Sequence, residues 1–121
     1  MNVRWMAVLT GFAVHALVTT LAGVIAGPSV DSLLAAPDPA RPDHLLLLAA
    51  SVLSTGLGGY VAARMAMLRP ALHGLLVGVL NVLLAQLAAL SGAGTPPALV
   101  LAGALSCLAG ALGGLLARSR R

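Results

Sequence analysis

An all-α fold, a four-helix transmembrane bundle, follows from three observations. Of the 121 residues 60% are hydrophobic and only 8% are charged. Mean hydropathy is +1.02. The apolar residues also run together in long stretches instead of alternating with polar ones. A soluble domain of this size needs far more charge to cover its surface. Long uninterrupted apolar runs suit a chain embedded in a bilayer.

Four spans are predicted within a single transmembrane domain, residues 1–121: about Trp5–Ala26, Leu45–Met67, Pro70–Leu90 and Pro97–Ala117. Each is near the ~20 residues that cross a ~30 Å hydrocarbon core as helix. None carries a charge at its centre. In lipid the backbone must satisfy its own hydrogen bonds, which segments of this length and composition do as helices.

The connections carry matching punctuation. The first, Gly27–His44, holds Pro28, Pro37, Pro39 and Pro42 and reads as a loop. Asp43 is placed to cap the second span. The second connection is a tight turn around Arg64–Arg69, with Pro70 suited to the first turn of the next helix. The third is Ser91-Gly-Ala-Gly-Thr95, where Thr95 is a cap candidate before Pro96-Pro97.

All seven basic residues are arginine, and the three acids are aspartates. Arg4 precedes span one, Arg64 and Arg69 lie between spans two and three, and Arg118, Arg120 and Arg121 follow span four. Four spans put those six on one side, and all three aspartates fall in the opposite loop. Arginine bias of this kind marks the cytoplasmic side. The expectation is a multi-pass protein of the cell (plasma or inner) membrane with both termini cytoplasmic. Arg64 and Arg118 fall at helix C-termini, where a cation complements the helix dipole. Arg64, Arg69, Arg118, Arg120 and Arg121 are the expected contacts for anionic lipid headgroups. A nucleic-acid partner is excluded as a reading, because the arginines flank apolar spans and form no patch on a soluble fold. Arg4, the apolar run and Val24-Ile25-Ala26 loosely resemble a secretory signal. The run exceeds the usual ~7–15 residues, which favours an uncleaved first span.

Gly56-Leu-Gly-Gly-Tyr-Val-Ala-Ala-Arg64 aligns without gaps on Gly110-Ala-Leu-Gly-Gly-Leu-Leu-Ala-Arg118. Gly56/Gly110, Gly59/Gly113, Ala63/Ala117 and Arg64/Arg118 coincide. Two readings remain open: a duplicated parallel helical hairpin, or chance identity in a Leu/Ala/Gly-rich chain. Every span also carries a stripe of small residues. They are Ala7, Gly11, Ala22, Gly23 and Ala26 in span one, and Ser51, Thr55, Gly58 or Gly59 and Ala62 in span two. Span three has Gly74, Gly78, Asn81 and Ala85. Span four has Gly103, Cys107, Gly110, Gly114 and Ala117. Such stripes let helix backbones approach closely, which drives packing in lipid. Cys107 has no disulfide partner and reads as a small packing residue.

The candidate functional positions are the polar residues and their neighbours. His15 lies near the middle of span one, and an ionisable residue there is a functional candidate by default. No carboxylate lies at that depth. The alternative is a neutral imidazole bonded to a hydroxyl such as Ser54, Thr55 or Ser106. Asn81 lies on the glycine stripe of span three, with Gln86 further along; amides there glue helices at ~0.6–2 kcal/mol each. Paired-histidine haem ligation would need a second histidine at the depth of His15, whereas His73 and His44 fall near opposite interfaces. Asp38, Asp43 and His44 read as a solvated loop rather than a cation site. No metal, cofactor or catalytic constellation is expected: there is no carboxylate pair, no intramembrane acid and no phosphate loop.

Gly58-Gly59-Tyr60-Val61-Ala62-Ala63-Arg64 followed by His73-Gly74-Leu75-Leu76-Val77-Gly78 resembles the pattern of a family of small, uncharacterised four-span bacterial and archaeal integral membrane proteins. The resemblance covers about twenty residues closely. It implies fold and topology, and it marks Arg64, His73 and Gly74. Small multidrug exporters carry a glutamate in span one and fluoride channels a phenylalanine-rich lining; neither is present. Two functional readings follow. One is a non-enzymatic structural or interaction subunit that packs through glycine-rich faces as a homo-oligomer or in a larger complex. The other is a subunit of an oligomeric channel or transporter for protons, cations or small solutes, with His15, Asn81 and His73 on the path and Gly78 on the same stripe.

Overall fold

The computed structural model describes residues 3–89 and 97–119, apart from the side chains at 30, 34, 88, 89 and 97–99. The helices are α1 (Trp5–Ala26), α2 (Ser29–Ala35), α3 (Pro42–Ala66), α4 (Pro70–Ala89) and α5 (Pro97–Ser119). The four long helices are apolar and long enough to cross a membrane. The protein is an all-α, multi-pass membrane protein built as a four-helix bundle.

The predicted spans correspond to α1, α3, α4 and α5, and Pro70 and Pro97 open their helices. A proline costs little there, because its missing N–H would have no partner in the first turn. Two local expectations are corrected. The first connection is not all loop: α2 occupies Ser29–Ala35. Asp43 does not cap α3. That helix starts earlier, at Pro42, with Arg41 in the N-cap position. The Asp43 carboxylate instead accepts from the Arg41 guanidinium at 2.7 and 3.2 Å. The Thr95 cap, the end of span three at Leu90, and Arg120 and Arg121 lie outside the described residues.

The α3–α4 turn is only Met67-Leu68-Arg69. Met67 (φ 60°) and Arg69 (φ 45°) both take left-handed backbone. Side chains rarely adopt that region, so the reversal stores strain of about 1–2 kcal/mol per residue. The Met67 N–H closes the end of α3 on the Ala63 carbonyl at 3.2 Å. This turn lies at the same end of the bundle as Arg4 and Arg118, since the Arg4 backbone bonds to His73 and Gly114 packs on Pro70. Arg64 and Arg118 occupy the last turns of their helices. The bundle thus has an arginine end and, opposite, an end that carries Asp31, Asp38 and Asp43.

α3 is the central helix and packs against α1, α4 and α5. Glycine sets these contacts. A Cβ on Gly58 would collide with the Gly11 carbonyl, one on Gly59 or Gly74 with that of Gly110, and one on Gly114 with that of Pro70. A Cβ on Gly78 would lie 2.6 Å from Cys107 Cα. The glycine faces around Gly11, Gly58, Gly59, Gly74, Gly78, Gly110 and Gly114 are therefore filled within the chain, whereas Ala85 is exposed and Ala22, Gly23 and Ala26 are only partly covered.

The α3–α5 seam also bears on the internal alignment. Gly59 meets Gly110, and Gly113 meets Gly56. Replacing each glycine by its aligned counterpart turns one contact into the other, the exchange a two-fold axis produces. The symmetry stops at this seam. α4 packs on α3, whereas among the described residues α1 and α5 do not meet.

Packing is uneven along the membrane normal. Among the described side chains, the last buried residue is His15 in α1 and Gly78 in α4. In α5 burial among them begins at Ser106; in α3, His44 aside, it begins at Ser54. Val8, Ala62 and Val77 form a buried apolar cluster on the arginine side of that level. Small residues bring the backbones together there. Beyond it large leucines such as Leu45, Leu46 and Leu101 remain exposed.

Candidate functional site

Where close packing ends, three helices share a polar node. His15 of α1 is 3% exposed, and Ser54 and Thr55 of α3 are 2% and 0% exposed. His15 Nε2–H donates to Asn81 Oδ1 of α4 at 2.9 Å. His15 Nδ1 lies 2.8 Å from Ser54 Oγ and 3.2 Å from Thr55 Oγ1. Both hydroxyls also reach the Ser51 carbonyl, at 2.9 and 2.8 Å. A neutral imidazole has one donor and one acceptor. With Nε2 donating to Asn81, Nδ1 accepts from one hydroxyl while the other donates to Ser51. Phe12, one turn earlier, places its ring 5.8 Å from the imidazole. The Thr19 hydroxyl turns back onto the His15 carbonyl at 2.9 Å and does not reach the ring.

The histidine meets the central helix because α1 packs on α3. Ser106 of α5 is buried elsewhere, on a helix that α1 does not meet among the described residues. Asn81 reaches the node because it lies one turn beyond Val77, which packs beside Gly11. Its stripe neighbours Gly74 and Gly78 face α5 instead. The sequence candidates therefore divide. His15 and Asn81 are bonded to each other, while Gly74 and Gly78 form the α4–α5 contact. His73 and Arg64 belong to the arginine end.

His73 is fully buried. Its Nε2 accepts from the Arg4 N–H at 3.1 Å. Its Nδ1–H donates to the Arg69 carbonyl at 3.1 Å. That carbonyl also takes the Leu72 and His73 amides of the first turn of α4. His73 thus ties the start of α1 to the strained turn.

His44 does not belong to a solvated loop: it lies in the first turn of α3 and is 1% exposed. Its Nε2–H donates to Ser32 Oγ of α2 at 2.8 Å, and its Nδ1 accepts from the Asp38 N–H at 3.1 Å. Ser32 in turn donates to the Ser29 carbonyl at 3.0 Å. These bonds hold α2 and the following loop onto α3. A histidine three residues into a helix, downstream of a serine pair, was the only available signal.

The three histidines occupy three levels and differ in one chemical respect. His44 and His73 each accept from a backbone N–H, a partner that can only donate. Their bonding patterns hold only while that ring nitrogen keeps its lone pair. The partners of His15 are all side-chain oxygens, which can accept from either ring nitrogen. No buried side-chain polar atom among the described residues lacks a hydrogen-bond partner. The chain matches no protein-family model, no curated protein and no solved structure.

Proposed function

We propose that the protein is a small, non-enzymatic structural or interaction subunit of the cell (plasma or inner) membrane, with both termini cytoplasmic. One observation carries this reading: the intramembrane polar groups close on one another. His15, Ser54, Thr55 and the carbonyl oxygen of Asn81 bond to one another inside the bundle. From that level to the turn the interior is filled by Val8, Ala62 and Val77. Such an arrangement supports a rigid body rather than a reactive centre. The glycine faces build that body. Contacts with a homo-oligomer or a larger membrane complex then fall to the exposed leucine faces and the turn. Arg64, Arg69, Arg118, Arg120 and Arg121 serve as contacts for anionic lipid headgroups. The resemblance to small four-span membrane proteins at Gly58–Arg64 and His73–Gly78 fits this reading, because Gly74 and His73 are packing and turn-fixing residues here. The test is the native mass of the gently extracted protein in lipid discs. An assembly larger than the 12.0 kDa chain is expected. A solitary monomer overturns the reading.

One observation favours a second reading, a channel or transporter subunit. His15 has oxygen partners on both nitrogens, so its ring can carry a proton on either side. Proton or cation flux that is lost in His15→Ala at unchanged stability would favour it.

A further inference from the structure

The loop that follows α2 meets α3 at the His44 ring, and the bonds there fix which ring nitrogen carries the proton. The Ser32 hydroxyl donates to the Ser29 carbonyl at 3.0 Å, so its oxygen takes the Nε2–H of His44 at 2.8 Å. The lone pair is then on Nδ1, which accepts from the Asp38 backbone N–H at 3.1 Å. A backbone amide can only donate. A proton added at Nδ1 would point at that N–H, so the proton and the bond exclude each other. The ring is 1% exposed, which leaves no room to trade the bond for one to water in place.

The charges around this ring are few. The ionisable side chains at this end are Asp31 on α2, Asp38 and Arg41 in the loop, and Asp43 beside His44 on α3. α1 beyond His15, α4 beyond Asn81 and α5 before Cys107 carry none. Asp43 is engaged by Arg41 at 2.7 Å and by Ser29. The Asp38 carboxylate accepts only from the Ala40 N–H, at 2.9 Å within the exposed loop. Asp38 therefore holds, on one Cα, the N–H that the neutral ring needs and a carboxylate that a charged ring would take. The other histidine that accepts from an amide, His73, stands at the end whose charged side chains are arginines, where an added positive charge is opposed.

We propose that His44 and Asp38 form an acid-operated latch. With His44 neutral, Nδ1 holds the Asp38 N–H and closes the loop, residues 36–41, on α3. A proton from solvent at Nδ1 breaks that bond. Asp38 then turns its carboxylate to the imidazolium, releasing the Ala40 N–H, while Ser32 keeps α2 on the Nε2–H. Protons bind the released form and not the closed one, so the closed form is lost as pH falls. Histidine ordinarily changes charge between about pH 5 and 8. The latch is independent of the polar node and of the functional reading above; on the orientation proposed there, it faces the external solution.

Nitrogen NMR of the full chain in lipid discs, from about pH 7.5 to about pH 5, tests it. The His44 ring nitrogens and the Asp38 amide should shift together, with one midpoint. Over that range the hydrogen-exchange protection of the Asp38 amide, corrected for intrinsic rates, should fall at least about tenfold, because each pH unit below the histidine value multiplies the proton-bound form about tenfold. The Ala40 amide should lose protection in parallel. His44→Gln, which cannot titrate, should make both amides independent of pH. The co-titration is read on the wild-type chain and stands even if that variant fails to fold. An Asp38 amide that stays protected to about pH 5 overturns the proposal. So does a pH response that persists in His44→Gln, which would assign it to the aspartates.

Discussion

The α3–α5 seam yields a prediction in which two glycines on facing helices respond in opposite ways. A Cβ built on Gly113 would collide with the Gly56 carbonyl oxygen and lie 2.9 Å from its carbon and 3.1 Å from the Tyr60 nitrogen. These are backbone atoms in the middle of a helix and cannot swing aside. Ordinary carbon contacts sit at ~3.5–4.0 Å, so Gly113→Ala must push α3 and α5 apart by up to about 1 Å. A gap of ~0.5–1 Å forfeits a quarter to a half of each contact along the seam. The Gly59–Gly110 contact, one turn away, shares the displacement. The cost should fall in the ~1–3 kcal/mol range of overpacked cores. Gly56→Ala is different: its nearest neighbour is the Ala109 carbonyl oxygen at 3.4 Å, already normal contact. That variant should lose nothing, and reduced backbone freedom could add ~0.4–1 kcal/mol. Reversible unfolding in mixed detergent, followed by Trp5 fluorescence and far-ultraviolet dichroism, compares the two. Equal stability of Gly113→Ala and Gly56→Ala would refute the close approach of α3 and α5.

Other predictions concern the histidines and the orientation. His15→Ala removes two interhelical partners and should cost about 1–3 kcal/mol, against ~0.6–1.7 for Asn81→Ala. The double variant should show coupling of at least ~0.5 kcal/mol in a thermodynamic cycle; strict additivity would mean the two side chains do not touch. His73→Leu should leave the bundle folded but raise hydrogen exchange at the Arg4 amide, since its acceptor is gone; unchanged protection would contradict the tie. Single cysteines at Asp38 and at Ser119, in a Cys107→Ala background, should react with a membrane-impermeant maleimide in intact cells only at Asp38. Labelling at Ser119 would reverse the proposed orientation.

Particular residues show what the linear order of the chain reveals and what it hides. Pro70 and Pro97 mark helix starts because proline's missing N–H is a local property, and the spans around them are legible from length and hydropathy alone. The depth of His15 follows from counting along α1. Its choice of Ser54 and Thr55 over Ser106 does not, because that depends on which helices are neighbours. The glycine stripes announce close packing, yet only the fold shows that they are consumed inside the chain. α2 was hidden by the prolines around it. Its seven residues are too few for a helical period to stand out, and its attachment to α3 runs through side-chain pairs such as Ser32 with His44 and Ser29 with Asp43. His73 meets a backbone amide of Arg4, sixty-nine positions away, and no residue type signals such a partner.

The central claim is that the His15 node ties three helices together and does not form a path. Proton permeation through liposomes holding the purified protein, under an imposed pH gradient, tests it most directly. The account predicts a rate equal to that of protein-free liposomes, for the wild-type chain and for His15→Ala alike. A wild-type rate clearly above that baseline, abolished by His15→Ala in a bundle that remains folded, would contradict it.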